Sequence, residues 1–278
     1  MAKQQVSYDL DLGGSFLKGL PPSIKRYTYH GEEQLFDIFQ SEFTRFEAST
    51  EISEEILFHA SKETIETIFN PENEDASISK LCTSFDLIEQ LFLVTMESMP
   101  HAKAADLMNS AIRDTLTPMG LSSCLNAYPS AHVRGQSRGK KPDYSWNPIR
   151  QEPGQPSSPS VTLEVAYSES DSKLNSDVRF WLNPDDGNAN ICLTLRINRS
   201  HPEIIIEVWE RQNNKAHRSQ LTFITSQNNQ THVSDHPLVI PFVSLFRRNS
   251  TRPGERDLAI SQQQLARVAE GIWAEQGW

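Results

Sequence analysis

From Glu32 to about Asn70, apolar residues recur every three or four positions: Leu35, Phe36, Ile38, Phe39 and Phe43, then Ile56, Leu57, Ile65 and Ile68. That spacing predicts helices with one apolar face. Ser53 followed by Glu54 and Glu55 reads as a helix start, because an acidic first turn suits the positive end of a helix dipole. Leu81 to Met96 is apolar enough for a strand or a buried helix, and its periodicity does not choose between them. Pro100 to Gly120 gives the clearest helix, with Ala104, Leu107, Met108, Ala111, Ile112 and Leu116 on one face and Gly120 at its end.

Beyond Gly120 the pattern shortens. Extended pieces are predicted at Leu125 to Tyr128, His132 to Arg134, the segment after Pro142-Asp143, and Val161 to Tyr167. An apolar-striped helix follows, with Leu174, Val178, Trp181 and Leu182. Branched residues then fill Asn190 to Ile197 and Ile204 to Trp209, two more strands, and Leu221 to Thr225 reads as an edge strand. After the apolar run Leu238 to Phe246, Ser261 is placed to cap a last helix carrying Leu265, Val268, Ile272 and Trp273. Residues 1–30, punctuated by Gly13, Gly14, Gly19, Pro21 and Pro22, read as a loosely ordered arm, and Asn70 to Ser79 as a loop. The order predicts an α/β fold, bordering on α+β.

Composition narrows the function. With 278 residues and 37% apolar content, the chain suits one large domain or a domain with an extra module. Its 26 basic and 36 acidic residues leave a net charge of −10, so nucleic-acid contact has to be local rather than general. Cys82, Cys124 and Cys192 stand far apart without a Cys/His cluster, which points away from a disulfide framework and a structural zinc site. No apolar leader or run of eighteen apolar residues is present, so neither a signal peptide nor a membrane span is predicted, and an intracellular location, cytoplasmic or nuclear, is expected. The sequons at Asn198, Asn229 and Asn249 then read as chance. No Gly-rich phosphate loop, GxSxG or HExxH occurs, which disfavours a nucleotide triphosphatase, a serine hydrolase and a zincin.

The chemistry gathers between Lys140 and Leu182. Asp143 enters one extended segment, and Glu164 interrupts the apolar run Val161, Leu163, Val165 on a second. Alternation puts Glu164 on the opposite face from those three, with the small residues Thr162 and Ala166 beside it. Pro-Asp also opens turns, and a Glu also suits an exposed strand edge. Two carboxylates on neighbouring buried strands are costly unless paired, protonated or bound to a cation. A hard cation such as Mg²⁺ or Mn²⁺ binds one or two carboxylates and keeps positions for phosphate oxygens. Ahead of them, Arg134, Arg138, Lys140 and Lys141 form a basic cluster that can steer phosphate, act as an import tract, or be a solvated loop.

Pro142-Asp143 followed by Glu164-Val165-Ala166 resembles the PD-(D/E)xK restriction-endonuclease-like superfamily. The arrangement is similar to a branch of restriction endonucleases of unassigned role with fungal relatives. Pro100-His101 opening a helix, the Ser-rich turn Tyr167 to Ser170 and the Trp181-Leu182 helix end carry that likeness over roughly residues 97 to 210. The resemblance implies a central mixed sheet flanked by helices, as residues 81–278 with C-terminal additions, beside a helical extension at 31–80. It also implies cleavage of nucleic acid with Mg²⁺ or Mn²⁺ held by Asp143 and Glu164, and by Glu97, which also reads as an acidic residue at a helix start. Ala166 stands where the superfamily's Lys is usual, and the likeness implies a replacement cation on the next helix, Arg179 or Lys173. His101 alone reads as a capping or surface residue. The alternative from a different class is a catalytically degenerate relative that binds or regulates, which Ala166 motivates. A third reading is a helical interaction protein working through residues 32–70 and 255–278.

Overall fold

The computed structural model describes residues 8–278 apart from 14–16, 18, 19, 21, 22, 50, 51, 71, 73–76, 129–131, 151, 152, 168–170 and 229. Gly14, Gly19, Pro21, Pro22, half of the 70–79 loop, the Ser168 to Ser170 turn and the Asn229 sequon lie outside the described residues. The fold is α/β, built on two sheets with helices between and around them.

The larger sheet runs in the order β1 (Asp9–Asp11), β13 (Lys215–Gln227), β12 (Glu203–Gln212), β11 (Ile191–Ile197), β10 (Val161–Ala166), β9 (Tyr144–Pro148) and β6 (Leu125–Tyr128), with β14 (Gln230–Val233) on β13. It is mixed: β10 and β11 are parallel, and the other pairs are antiparallel. A parallel pair needs a crossover, and α5 (Asp171–Leu182) provides it. Strand β10 is buried at all six positions because the sheet is covered on both faces.

On one face Val161, Leu163 and Val165 pack with α4 (Met99–Leu116) and α7 (Gln262–Gln276). Ser98 caps α4 by accepting the His101 N–H at 3.3 Å. Ser261 and Gln264 cap α7 reciprocally, each side chain bonded to the other's backbone. The two helices approach closely at Gly271, where a Cβ would meet Leu107 Cδ1 at 2.6 Å. Between β14 and α7 lie β15 (Leu238–Ile240), α6 (Phe242–Phe246) and β16 (Leu258–Ile260), with β15 and β16 paired to each other.

The second sheet runs β2 (Lys25–Thr28), β3 (Glu55–His59), β5 (Leu91–Thr95), β4 (Cys82–Asp86), β8 (Arg138–Lys140) and β7 (Val133–Arg134). Its Leu57 and Leu93 join Val178, Trp181 and Leu182 of α5 and Cys192 and Trp209 of the first sheet in one core. Its Ile56, Phe58, Phe92 and Val94 face the other way, packing with residues of α1 (Glu32–Ala48), α2 (Lys62–Ile68) and α3 (Ser77–Leu81). Helix α5 is therefore held between two sheets, which explains why eight of its residues are buried, Lys173 and Asp177 among them.

Several sequence expectations change. The helix start expected at Ser53 is a turn into β3, because both faces of Ile56 to Phe58 are covered, and that burial overrides a helical spacing. The stretch 31–80 is accordingly not a helical extension alone: its β3 is an inner strand paired with β2 and β5. Leu81 to Met96 resolves into the paired strands β4 and β5. The described part of the arm is held by β1 and β2 and by the buried side chains of Leu10, Leu12, Leu17, Leu20 and Ile24. Leu221 to Thr225 lies within β13, an inner strand.

A candidate active site of buried carboxylates and lysines

The antiparallel register of β9 and β10 pairs Tyr144 with Leu163, so the next step along the chain brings Asp143 alongside Glu164. Asp143 Oδ2 accepts the Val165 N–H at 2.6 Å, which fixes the carboxylate at this strand end. Its Oδ1 faces His101 Nε2 at 3.2 Å, and His101 Nδ1 faces Glu54 Oε2 at 3.1 Å. Glu54 Oε1 in turn accepts the Tyr167 N–H at 2.9 Å. The sequence places His101 as a cap or a surface group. It is instead buried between two carboxylates, each one residue ahead of a strand, Asp143 before β9 and Glu54 before β3.

Glu164 stands in a second group. Its Oε1 accepts Trp181 Nε1–H at 2.5 Å, and its Oε2 lies 2.9 Å from Lys140 Nζ. Lys140 also reaches Asp177 Oδ1 at 3.1 Å, and Lys173 reaches Asp177 Oδ2 at 2.6 Å and Glu55 Oε1 at 3.7 Å. Glu164 is only 2% exposed, whereas the Asp143 side chain is 21% exposed. Burying Val161, Leu163 and Val165 contributes about 1.5–3 kcal/mol each. Burying one unpaired charge on that strand would cost several kcal/mol. Lys140 offsets part of that cost.

The protonation states follow from this wiring. Burial pushes the Glu164 carboxyl well up, against the pull of Lys140, and Asp177 and Asp143 add to the rise. Burial likewise lifts Glu55 to about 7 despite Lys173. Burial acts to depress Lys140, Lys173 and His101, but the carboxylates around each outweigh it and raise all three. Asp143 is held below its usual value: burial would raise it, but His101, Lys140 and the Val165 N–H prevail.

Of the residues expected from sequence, Glu164 and Lys173 fall in one cluster, joined through Lys140 and Asp177; Asp143 lies beside it with His101 at the end of the adjoining strand, and Arg179 joins neither group. Its Nε donates to Asp11 O at 3.2 Å, on the side of α5 facing β1, because it lies six residues from Lys173 and two from Asp177, neither a whole number of helical turns. Glu97 is exposed at the rim, and desolvation with repulsion from Asp143 and Glu54 lifts its carboxyl against the pull of His101. A groove of about 600 Å³ opens there, flanked by Tyr167 and by Arg199, whose guanidinium lies 4.3 Å from the Phe46 ring centroid.

The basic cluster is split: Arg134 is exposed and Arg138 half-buried, whereas both lysines are buried. β8 is an inner strand, so Lys140 is buried in the site, and Lys141 is buried and donates to Ser79 O at 2.5 Å. Arg138 pairs with Asp86 at 3.0 Å and Asp186 at 3.5 Å, and Arg134 lies over the Phe85 ring. Asp177, Glu54 and Glu55 are members that sequence reasoning did not place in the site; Lys140 was read as part of a phosphate-steering cluster and His101 as a cap or surface group. The available signal was charge at positions flanked by apolar residues, as in Glu54-Glu55 before Ile56-Leu57-Phe58 and in Lys173 with Asp177 on an apolar helix.

The charge count, by itself, is one that a hard divalent cation would balance. Glu54, Glu55, Asp143, Glu164 and Asp177 supply five carboxylates, against three cations in His101, Lys140 and Lys173. Two negative charges are left over, the charge a divalent ion neutralises, and protons on Glu164 and Glu55 serve otherwise. Each carboxylate also keeps lone pairs beyond those engaged. Among the described residues, no group of three or more His, Cys, Asp or Glu is arranged to hold a metal, so a cation here would have to use one or two carboxylates and water, as Mg²⁺ can.

No protein-family model and no curated protein matches the sequence. Among solved structures, the chain is similar to a candidate nuclease of DUF820 from Anabaena variabilis, with a TM-score of 0.39 and 15% identity over 64% of this chain and 87% of that one. Likeness at that level is too loose to carry residues or activity from one protein to the other. No helix among the described residues is long and apolar enough to cross a membrane.

Proposed function

We propose that the chain is a nuclease of the PD-(D/E)xK kind, hydrolysing phosphodiesters of nucleic acid with Mg²⁺ or Mn²⁺ held by Asp143 and Glu164. The observation that supports the reading is the register that sets these two carboxylates at neighbouring positions of adjacent strands, beside buried carboxylates and lysines with two negative charges in excess. A divalent cation bound there supplies a polarised phosphate and a water of lowered pKa. Asp143 is kept ionised by His101, which holds its proton between Asp143 and Glu54 and so acts as a positioning residue. Glu97 adds an oxygen at the exposed rim. Lys140 takes the place expected for Arg179, with Lys173 behind it, and balances charge beside Glu164 where Ala166 leaves the usual Lys missing.

The test is cleavage of single- and double-stranded DNA and RNA with Mn²⁺. Wild type cleaves, and Asp143→Ala and Glu164→Gln, folded by circular dichroism, do not. Equal rates in wild type and Asp143→Ala remove the mechanism.

One observation favours a second reading, a catalytically degenerate module that binds or regulates. Both Glu164 oxygens are engaged, by Trp181 and Lys140, in a nearly water-free setting. This reading expects no heat in a calorimetric Mn²⁺ titration. Heat that disappears in Glu164→Gln counts against it.

A further inference from the structure

The sheet face that carries Glu164 continues past α5 into a separate concavity of about 350 Å³, within the size range of small-ligand pockets. The registers define its floor. Glu164 lies opposite Thr194, Thr194 opposite Glu207, and Glu207 opposite Leu221; one row over, Ala166, Arg196, Ile205 and Phe223 follow in line. The concavity therefore begins one strand away from the candidate site.

Its walls combine rings and guanidinium groups. Tyr8 is 45% exposed and Phe223 40% exposed, an unusual state for large aromatics that border a hollow. Arg218 lies 5.4 Å from the Tyr8 ring centroid and 5.8 Å from that of Trp209, and pairs with Glu207 at 2.6 Å. Arg196 pairs with Asp171, whose side chain is 66% exposed. An ion pair that open to water contributes little, so an incoming phosphate can replace Asp171 on Arg196 at small cost and gain a charge-assisted bond. Exposed rings for stacking, next to cations for phosphate, are the chemistry of single-strand recognition. A base pair's stacked neighbours would block entry of a ring into a hollow this size.

We propose that this concavity binds a nucleobase with its adjoining phosphate, stacking the base on Phe223 and Tyr8 and holding the phosphate at Arg196, and that it selects single-stranded nucleic acid. Its role as a substrate subsite rests on the nuclease reading; the binding itself does not.

The experiment is fluorescence anisotropy of a labelled oligothymidylate with the full chain in EDTA, alongside the matching duplex and competition by free AMP. Wild type binds the single strand more tightly than the duplex, and Phe223→Ala and Arg196→Gln, folded by circular dichroism, each weaken binding by roughly tenfold, as loss of a stacked base contact does. Unchanged affinity in both variants overturns the proposal, as does equal affinity for duplex and single strand. Binding of AMP with none of the oligonucleotide overturns the strand assignment. A chain that binds the strand as expected but fails to cut it with Mn²⁺ strikes the nuclease reading and leaves the subsite standing.

Discussion

Replacing Lys140 by Met removes the ammonium shared by two buried carboxylates while keeping most of the side chain's bulk. In the native cluster Lys140 Nζ lies 2.9 Å from Glu164 and 3.1 Å from Asp177. At an effective dielectric of about 20, each contact at such a distance is worth about 5 kcal/mol before desolvation. The burial penalty of the ammonium offsets several kcal/mol of that, which leaves a net loss of about 3–5 kcal/mol, the range for breaking a buried pair. Asp177 keeps Lys173 at 2.6 Å, but Glu164 keeps only the Trp181 N–H.

The loss depends on pH in a defined direction. The Glu164 carboxyl is already raised by burial, and without Lys140 it rises further. A raised folded-state value means that stability is fully present below the unfolded carboxyl value of about 4.3 and is lost as pH climbs through the folded one. The variant's deficit is therefore larger at about pH 8 than at about pH 5. Urea unfolding followed by tryptophan fluorescence reads this directly. With a slope near 3 kcal/mol per molar, the midpoint falls by about 1–2 M at the higher pH. Adding Glu164→Gln, which removes the orphaned charge, recovers part of the loss. A Lys140→Met midpoint within a few tenths molar of wild type at about pH 8 refutes the reasoning.

Three further outcomes are expected. Gly139→Ala places a Cβ at 2.2 Å from Phe85 Cε1 and should cost about 1–3 kcal/mol by overpacking, shifting β8 and the adjacent Lys140; an unchanged thermal midpoint would show that the strands part freely. Glu255 is held at about 2 by two hydrogen bonds from Arg248 and one from the Thr251 N–H, so its contribution is present above its ordinary 4.5 and disappears as pH falls through about 2. Glu255→Gln should flatten the stability curve across that acid window, and superimposable curves would count against the clamp. Ser261→Ala removes the α7 capping box and should destabilise by about 0.5–2 kcal/mol in urea, with no change in α7's role if the midpoint does not move.

The strands around the site were readable because their alternation is strict: Val161, Leu163 and Val165 turn one way and Glu164 the other, as found. The helix from Pro100 was readable for a similar reason, since its apolar face and Gly120 stop are local features. Glu54 and Glu55 were misread because acidic residues before an apolar run look alike whether they start a helix or enter a buried strand. Only the partner decides, and here β2 and β5 do. Arg179 was expected from its place on the helix, yet Lys140, from a strand thirty-odd positions earlier, reaches Glu164 instead.

By itself the sequence determined the alternation that buries Glu164, the length of the crossover helix and the capping residues, because each of these depends on neighbours a few positions apart. Which cation meets which carboxylate was decided by tertiary structure alone. A second sheet closes over α5 and brings Glu55, Lys140 and Asp177 into one dry space, where charges attract strongly enough that their pairing is set by distance in the fold and not by distance along the chain.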